Sequence, residues 1–328
     1  MSRTAALPPA PGFSPIEFLR QYGALIGMAV VLGGLGLVKP GFLGAANIEN
    51  VLRQSTVLLI VALGLTVVLT LRGVDLSIAQ ITDATALTAA ALLIHGAPAW
   101  VAFTAPVLLG AALGGLNGVL MAYLGVPAII GTLGTMFMIR SGELLYTHGS
   151  EPQILFTLPR RVTADFLFLG QKAVGPVPAL LLLALAVILV AALLMTLTPF
   201  GRQARAVGSN VRAAFLAGVD IRRVFAAGFV VSGTFAAVAG VALASRTGIA
   251  VPRGAEPYLL DAFAACYLGT LASRTGGMSV PGTVIGALFV SFLSNGLTIL
   301  GLGAASRFAL NGLFILLAMA VGALRRPH

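Results

Sequence analysis

The 328-residue chain is 58% hydrophobic and only 9% charged, and its 20 Lys and Arg against 10 Asp and Glu give a net charge of +10. So few charges cannot supply the polar surface that a water-soluble globule of this size requires, which places the chain in a membrane. Its basic residues are spread between apolar runs rather than gathered on one face, so nucleic acid is excluded as a partner.

Apolar runs long enough to cross a hydrocarbon slab of roughly 30 Å, about 20 residues as helix, recur along the chain. Ten spans are expected, at 20–38, 51–71, 75–95, 99–123, 127–146, 176–198, 223–245, 258–272, 280–300 and 305–324. Residues 1–328 thus read as a single all-α, polytopic transmembrane domain surrounded by lipid. The proline-broken leader, 1–19, runs straight into a full-length span without a short apolar region and small-residue cleavage site, so it is expected to stay on and stay inside.

The third span is the most polar: "LRGVDLSIAQITDATALTAA" carries Arg72, Asp75, Gln80, Thr82, Asp83 and Thr85. Asp75, just after Gly73 and three residues from Arg72, is placed to cap the helix while pairing with the arginine. Asp83 lies eight residues further, about 12 Å along a helix and near mid-membrane, where a carboxylate is costly unless it faces protein or water. Gln80, Thr82, Asp83 and Thr85 either contribute to solute passage, or Asp83 serves as an interhelical hydrogen-bonding group toward Thr or Asn on a neighbour. Asn117, Asp261 and Asn295 are further pathway candidates whose first reading is interhelical glue, and Asp261 is also placed to cap the eighth span.

Further along, Arg140 and Glu143 are three apart and are expected to pair on a helix surface. Glycines at four-residue spacing, Gly23 and Gly27, Gly110, Gly114 and Gly118, and Gly282 and Gly286, are expected to let helix backbones approach closely. The loop at 199–222 should hold one short amphipathic helix, with Ser209 or Asn210 as its cap, Val211, Ala214 and Phe215 on one face, and Gly218 ending it in a left-handed turn. Such a helix cannot span a bilayer and would lie along its surface. The lone Cys266 reads as core filling, since no disulfide within the chain or thiolate metal cluster is possible.

With both termini inside, Arg3, Arg20, Arg72, Arg202, Arg205, Arg212, Arg222, Arg223, Arg274, Arg325 and Arg326 fall on the cytoplasmic side, as the positive-inside bias requires. The two lysines, Lys39 and Lys172, do not stand in a Gly-Lys-Ser/Thr loop, and His95, His148 and His328 are isolated. Neither a phosphate-cradling P-loop nor a zinc-protease helix is therefore expected.

Four blocks in order, "RGVDLSIAQITDATALTAA", "GGLNGVLMAYLGVPAIIGTLGTMFMIRSG", "GRQARAVGSNVRAAFLAGVDIRRV" and "EPYLLDAFAACYLGTLASRTGGMSVPGTVIGALFVSFLSNGL", make the chain resemble the permease subunits of bacterial ATP-binding-cassette importers of the ribose, xylose and arabinose type. The resemblance is more distant to branched-chain amino-acid permeases, and it runs from about residue 40 to 324. It implies a type II-like importer bundle in the inner membrane, a second copy of the chain or a homologous permease, a periplasmic binding protein outside, and a separate ATPase that carries the ATP and Mg, so that no cofactor is bound here. Ala213, Ala214, Leu216 and Gly218 match the segment such permeases press into the ATPase, with Asn210 as its cap and Phe215 as an exposed knob. Arg72, Gly73 and Asp75 fall at the family's Gly-hydrophobic-Asp-Leu-Ser block and take a structural or gating role. Asp83 stands where relatives usually carry a small residue.

Three departures stand out: Val211 and Arg212 where acidic residues are common, Cys266 and Tyr267 for smaller aliphatics, and "LASRTGGMSV" for a Gly/Ser-rich turn. The resemblance implies a pentose, hexose, polyol or related signalling sugar as cargo, with a nucleoside or branched-chain amino acid as alternatives. An ion-coupled secondary transporter using Asp75 and Asp83 is the competing class. A membrane enzyme would need a convergent catalytic set, and none stands at suggestive spacing.

Overall fold

The computed structural model describes residues 15–273 and 277–303, and all of 305–316 except 307, 311 and 314. Twelve α-helices are laid out along the described chain: α1 (Pro15–Val38), α2 (Ala45–Thr70), α3 (Ile78–Ile94), α4 (Ala99–Ala122), α5 (Ala128–Tyr146), α6 (Arg160–Gln171), α7 (Ala179–Leu197), α8 (Pro199–Ser209), α9 (Val211–Leu216), α10 (Ile221–Thr247), α11 (Glu256–Ala272) and α12 (Val280–Ile299). Helices α1 to α5, α7 and α10 to α12 fall on the first nine expected spans. The tenth, 305–324, lies mostly outside the described residues, as do leader residues 1–14, Arg274, Arg325 and Arg326.

Among the described residues, six helices are long and apolar enough to cross a membrane: α2, α4, α5, α7, α10 and α12. Expected span three, 75–95, shortens to the 17 residues of α3, whereas span eight, 258–272, starts two residues earlier and becomes the 17 residues of α11; each is about 26 Å at 1.5 Å per residue, less than a hydrocarbon slab. Both are entered through irregular backbone, 71–77 before α3 and 251–255 before α11, which is tolerated at membrane depth only where protein surrounds it.

Other departures are local. Helix α1 begins at Pro15, not at 20, and proline is at home in a first helical turn. The 199–222 segment forms two helices rather than one, because Thr198 accepts the Gly201 amide and Pro199 opens α8. Two-residue ladders supplement the helices: β1 (Gln153–Ile154) with β4 (Ile249–Ala250), and β2 (Ala173–Val174) with β3 (Val177–Pro178), both antiparallel. Together with α6 they gather at the end of the bundle opposite α8 and α9.

Helices α2 and α10 form the centre. Val57 to Leu69 on α2 are buried without interruption, and α10 packs on α2, α3 and α4. Helices α4, α5 and α7 are just as apolar yet leave Leu108, Met138, Leu185 and Leu189 exposed, a surface suited to lipid and not to water.

Small residues set the close crossings. A Cβ on Gly114 would strike the Phe229 carbonyl oxygen, one on Gly118 would come within 2.8 Å of the Ala226 carbonyl oxygen, and one on Gly286 would strike the Ala265 carbonyl oxygen. Gly23 and Gly27, by contrast, have nothing within 4 Å, so their spacing serves no contact among the described residues. Gly286→Ala is expected to lower stability by about 1–3 kcal/mol through overpacking, while Gly27→Ala is neutral; equal melting temperatures in detergent for the two variants would refute the crossing as described.

Candidate functional site

The polar interior begins where α2 ends. Arg72 sits in the left-handed region, φ 60°, and its guanidinium donates 3.0 Å to the Ser209 carbonyl at the end of α8. The expected Arg72–Asp75 pair therefore does not form, because each group has a partner far away in sequence. Gly73 lies against Val68 and Phe225, where a side chain would intrude.

Asp75 is fully buried and organises the start of α3 from two residues ahead of its cap, Ser77. Its Oδ1 accepts from the Ser77 amide at 3.0 Å and the Ser77 hydroxyl at 2.7 Å, and its Oδ2 accepts from Ser232 on α10 at 2.8 Å. The chain of bonds continues as Asn117 Nδ2 on α4 donates to Ser77 Oγ at 2.8 Å and Thr135 on α5 donates to Asn117 Oδ1 at 2.8 Å. The Leu76 amide donates to Thr132 at 3.1 Å. Four helices are thus tied at one level by groups that have no water to fall back on.

Asp83 sits on α3 at 1% exposure, with Oδ1 accepting the Ala255 amide at 2.6 Å. Ala255 is the cap residue of α11, so the carboxylate satisfies an amide that a helix start otherwise leaves orphaned. Oδ2 of Asp83 and Nε2 of the buried Gln80 have no hydrogen-bond partner among the described residues. Thr82 and Thr85 return their hydroxyls to carbonyls of their own helix, Ile78 and Ile81.

Asn295 accepts from Asn47 at 2.9 Å, joining α12 to α2. Asp261, half-buried, is the sixth residue of α11 and so lies beyond the capping position expected for it. Arg140 reaches Glu256 at 4.0 Å instead of pairing with Glu143. Glu143 turns inward, 4% exposed, with neither carboxylate oxygen bonded among the described residues. Cys266 fills core as expected, its thiol donating to the Ala62 carbonyl at 3.3 Å.

At the α8 and α9 end, Asn210 caps α9 by accepting the Ala213 amide at 3.0 Å. Gly218, φ 80°, closes the helix, with its amide on the Phe215 carbonyl and the Val219 amide on that of Ala214, a Schellman-like stop. Ala214 is 4% exposed, whereas Phe215 is 66% and Leu216 78% exposed, so a rigid short helix presents two large apolar side chains outward. Sequence reasoning missed Gly208, in the last turn of α8, where any Cβ would collide with the Thr70 carbonyl oxygen of α2; its signal was only one glycine among many.

The profile of the family described as branched-chain amino acid transport system / permease component matches residues 47–324. The chain belongs to this permease family. The permease is 33% identical over 304 residues to the ribose import permease protein RbsC of Haemophilus influenzae, covering 92% of this chain and 93% of the relative. It is 31% identical to the galactose/methyl galactoside import permease protein MglC of Escherichia coli K12, covering 94% and 96%. It is 32% identical to the autoinducer 2 import system permease protein LsrC of Photorhabdus laumondii, covering 93% and 90%. No solved structure matches it. The permease is a multi-pass membrane protein and a transport component rather than an enzyme.

Proposed function

We propose that the permease is the membrane subunit of an ATP-binding-cassette importer that passes a sugar or related polyhydroxylated solute through the bacterial inner membrane. The ribose, galactose and autoinducer 2 permeases it resembles support that cargo class. In this reading the chain makes ten crossings in a type II-like bundle with both termini cytoplasmic, and pairs with a second copy or a homologous permease. A periplasmic binding protein delivers the solute, and a separate ATPase holds the ATP and Mg, so this chain binds no cofactor.

The observation that carries the reading is α9: a helix capped at both ends, with Phe215 and Leu216 exposed. Asn210, Ala213, Ala214, Phe215, Leu216 and Gly218 form the knob on which the ATPase acts. Only contacts that differ between the two ATPase states shift the bundle. Proteoliposomes holding permease, ATPase and binding protein are expected to accumulate solute with ATP and to stop with vanadate. Accumulation by the permease alone, driven by an ion gradient, would instead establish a secondary transporter that uses the buried carboxylates of Asp75 and Asp83.

Gln80 and Asp83 supply one unmet donor and one unmet acceptor on the same face of α3, the pair of functions a passing hydroxyl group needs. Thr82, Thr85, Asn117, Asp261 and Asn295 shape the surrounding helices. Asp83→Asn keeps an oxygen for the Ala255 amide but replaces the free acceptor with a donor. It is expected to cut uptake about tenfold, the loss of one charge-assisted hydrogen bond, with little change in melting temperature. Unchanged flux and sugar preference in Asp83→Asn and Asp83→Ala would remove Asp83 from the pathway.

A further inference from the structure

Helices α3, α4 and α5 border an open crevice of about 420 Å³, a size typical of small-molecule sites. Its walls are Leu87, Leu109, Leu113 and Ile139, and it runs to the end of the bundle marked by His95 and Tyr146. The lining offers few free polar groups. Thr88 spends its hydroxyl on the Ala84 carbonyl at 2.7 Å, and the His95 ring bonds to the Ala91 carbonyl at 2.8 Å. Glu143 is the buried exception: it lines the crevice, is 4% exposed, and neither of its oxygens is bonded among the described residues, whereas Tyr146 at the mouth is 44% exposed.

A polyhydroxylated solute does not fit here, because each hydroxyl stranded against leucine walls loses its water without a replacement. The crevice therefore differs in kind from the polar interior around Gln80 and Asp83. An unbonded carboxylate at an apolar wall calls for a donor that also carries positive charge. An ammonium supplies up to three N–H groups to an oxygen pair that has none. The nearest basic residue on the same helix, Arg140, has its ion pair with Glu256, at 4.0 Å. An ammonium would supply the counter-charge and the donors that the buried Glu143 carboxyl group lacks.

We propose that the crevice between α3, α4 and α5 is a binding site for an amphiphilic organic amine, whose ammonium pairs with Glu143 and whose apolar body packs on Leu87, Leu109, Leu113 and Ile139. The ligand enters at the His95 and Tyr146 end, where an amphiphile at the membrane interface has direct access.

The test uses the full-length permease in nanodiscs and two isosteric probes, phenylbutylamine and phenylbutanol, read by saturation-transfer NMR with empty nanodiscs subtracted. The amine is expected to bind saturably and about tenfold more tightly than the alcohol, the contribution of one charge-assisted contact. Glu143→Gln should bring the amine down to the level of the alcohol, and Leu113→Trp should block both. Equal affinities of the two probes for the unaltered permease, or amine binding unaffected by Glu143→Gln, would overturn the proposal. If Glu143→Gln does not fold, the amine-to-alcohol ratio on the unaltered protein together with Leu113→Trp decides the matter.

Discussion

Gly208→Val is expected to leave an assembled transporter that hydrolyses ATP but moves about tenfold to a hundredfold less solute per ATP, the range of a typical coupling free energy. The reason is the joint between α8 and α2. The Gly208 Cα lies so close to the Thr70 carbonyl that a Cβ has no room, and one residue later the Ser209 carbonyl accepts the Arg72 guanidinium. Helix α9 follows after Asn210 alone, so a force on Phe215 and Leu216 reaches the end of α2 through backbone contact rather than through a flexible loop. A valine pushes α8 off α2 by about 1–2 Å, since packed backbone does not deform continuously. Arg72→Ala removes only the exposed hydrogen bond and should cost much less. Uptake and hydrolysis measured in the same proteoliposomes check this, and a normal solute-to-ATP ratio for Gly208→Val would show that force travels by another route.

Much of this architecture was legible in the sequence, because spans announce themselves by length and apolarity, and helix ends by side chains that cap them. Asn210 and Gly218 bound α9 as their residue types predict, and Gly110, Gly114 and Gly118 meet α10 where their spacing puts them. What escaped was whatever depends on partners far along the chain. Arg72 and Asp75 look like a pair three apart, yet one bonds Ser209 and the other Ser232, 137 and 157 residues away. Arg140 and Glu143 look like another, yet the first turns to Glu256 and the second to the interior. Helical spacing shows which groups could meet, but not which tertiary partner competes for them. Asp83 is the extreme case: its partner is the backbone amide of Ala255, and an amide has no signature in a sequence. Helix α6 hid for a different reason, since its buried face is Thr163, Phe166 and Gly170, a helical spacing with only one large apolar residue in it.

Asp75→Ala is expected to destabilise the bundle by about 2–5 kcal/mol, three lost acceptor contacts at roughly 0.6–1.7 kcal/mol each inside a membrane protein. The substitution strands the Ser77 amide, the Ser77 hydroxyl and the Ser232 hydroxyl where none has access to solvent. Asp75→Asn distinguishes hydrogen bonding from charge. Its carbonyl oxygen still serves both Ser77 donors, and its NH2 faces Ser232, whose hydroxyl can rotate to accept, so the loss should be about 1 kcal/mol or less. Ser232→Ala removes a single bond and should fall in the same range as Asp75→Asn. If asparagine is as damaging as alanine in detergent unfolding, the charge of Asp75 and not its acceptor geometry holds the junction. The stakes extend beyond stability, because Arg72 to Asp75 is one short stretch whose first residue holds α8 and whose last holds α10, and through Ser77 reaches α4 and α5. Loosening its buried end frees α3 from the helices beside it while the α8 contact stays intact. Asp75→Ala should therefore lower the melting temperature of the bundle and leave the grip of α8 on α2 unchanged, the reverse of what Gly208→Val does.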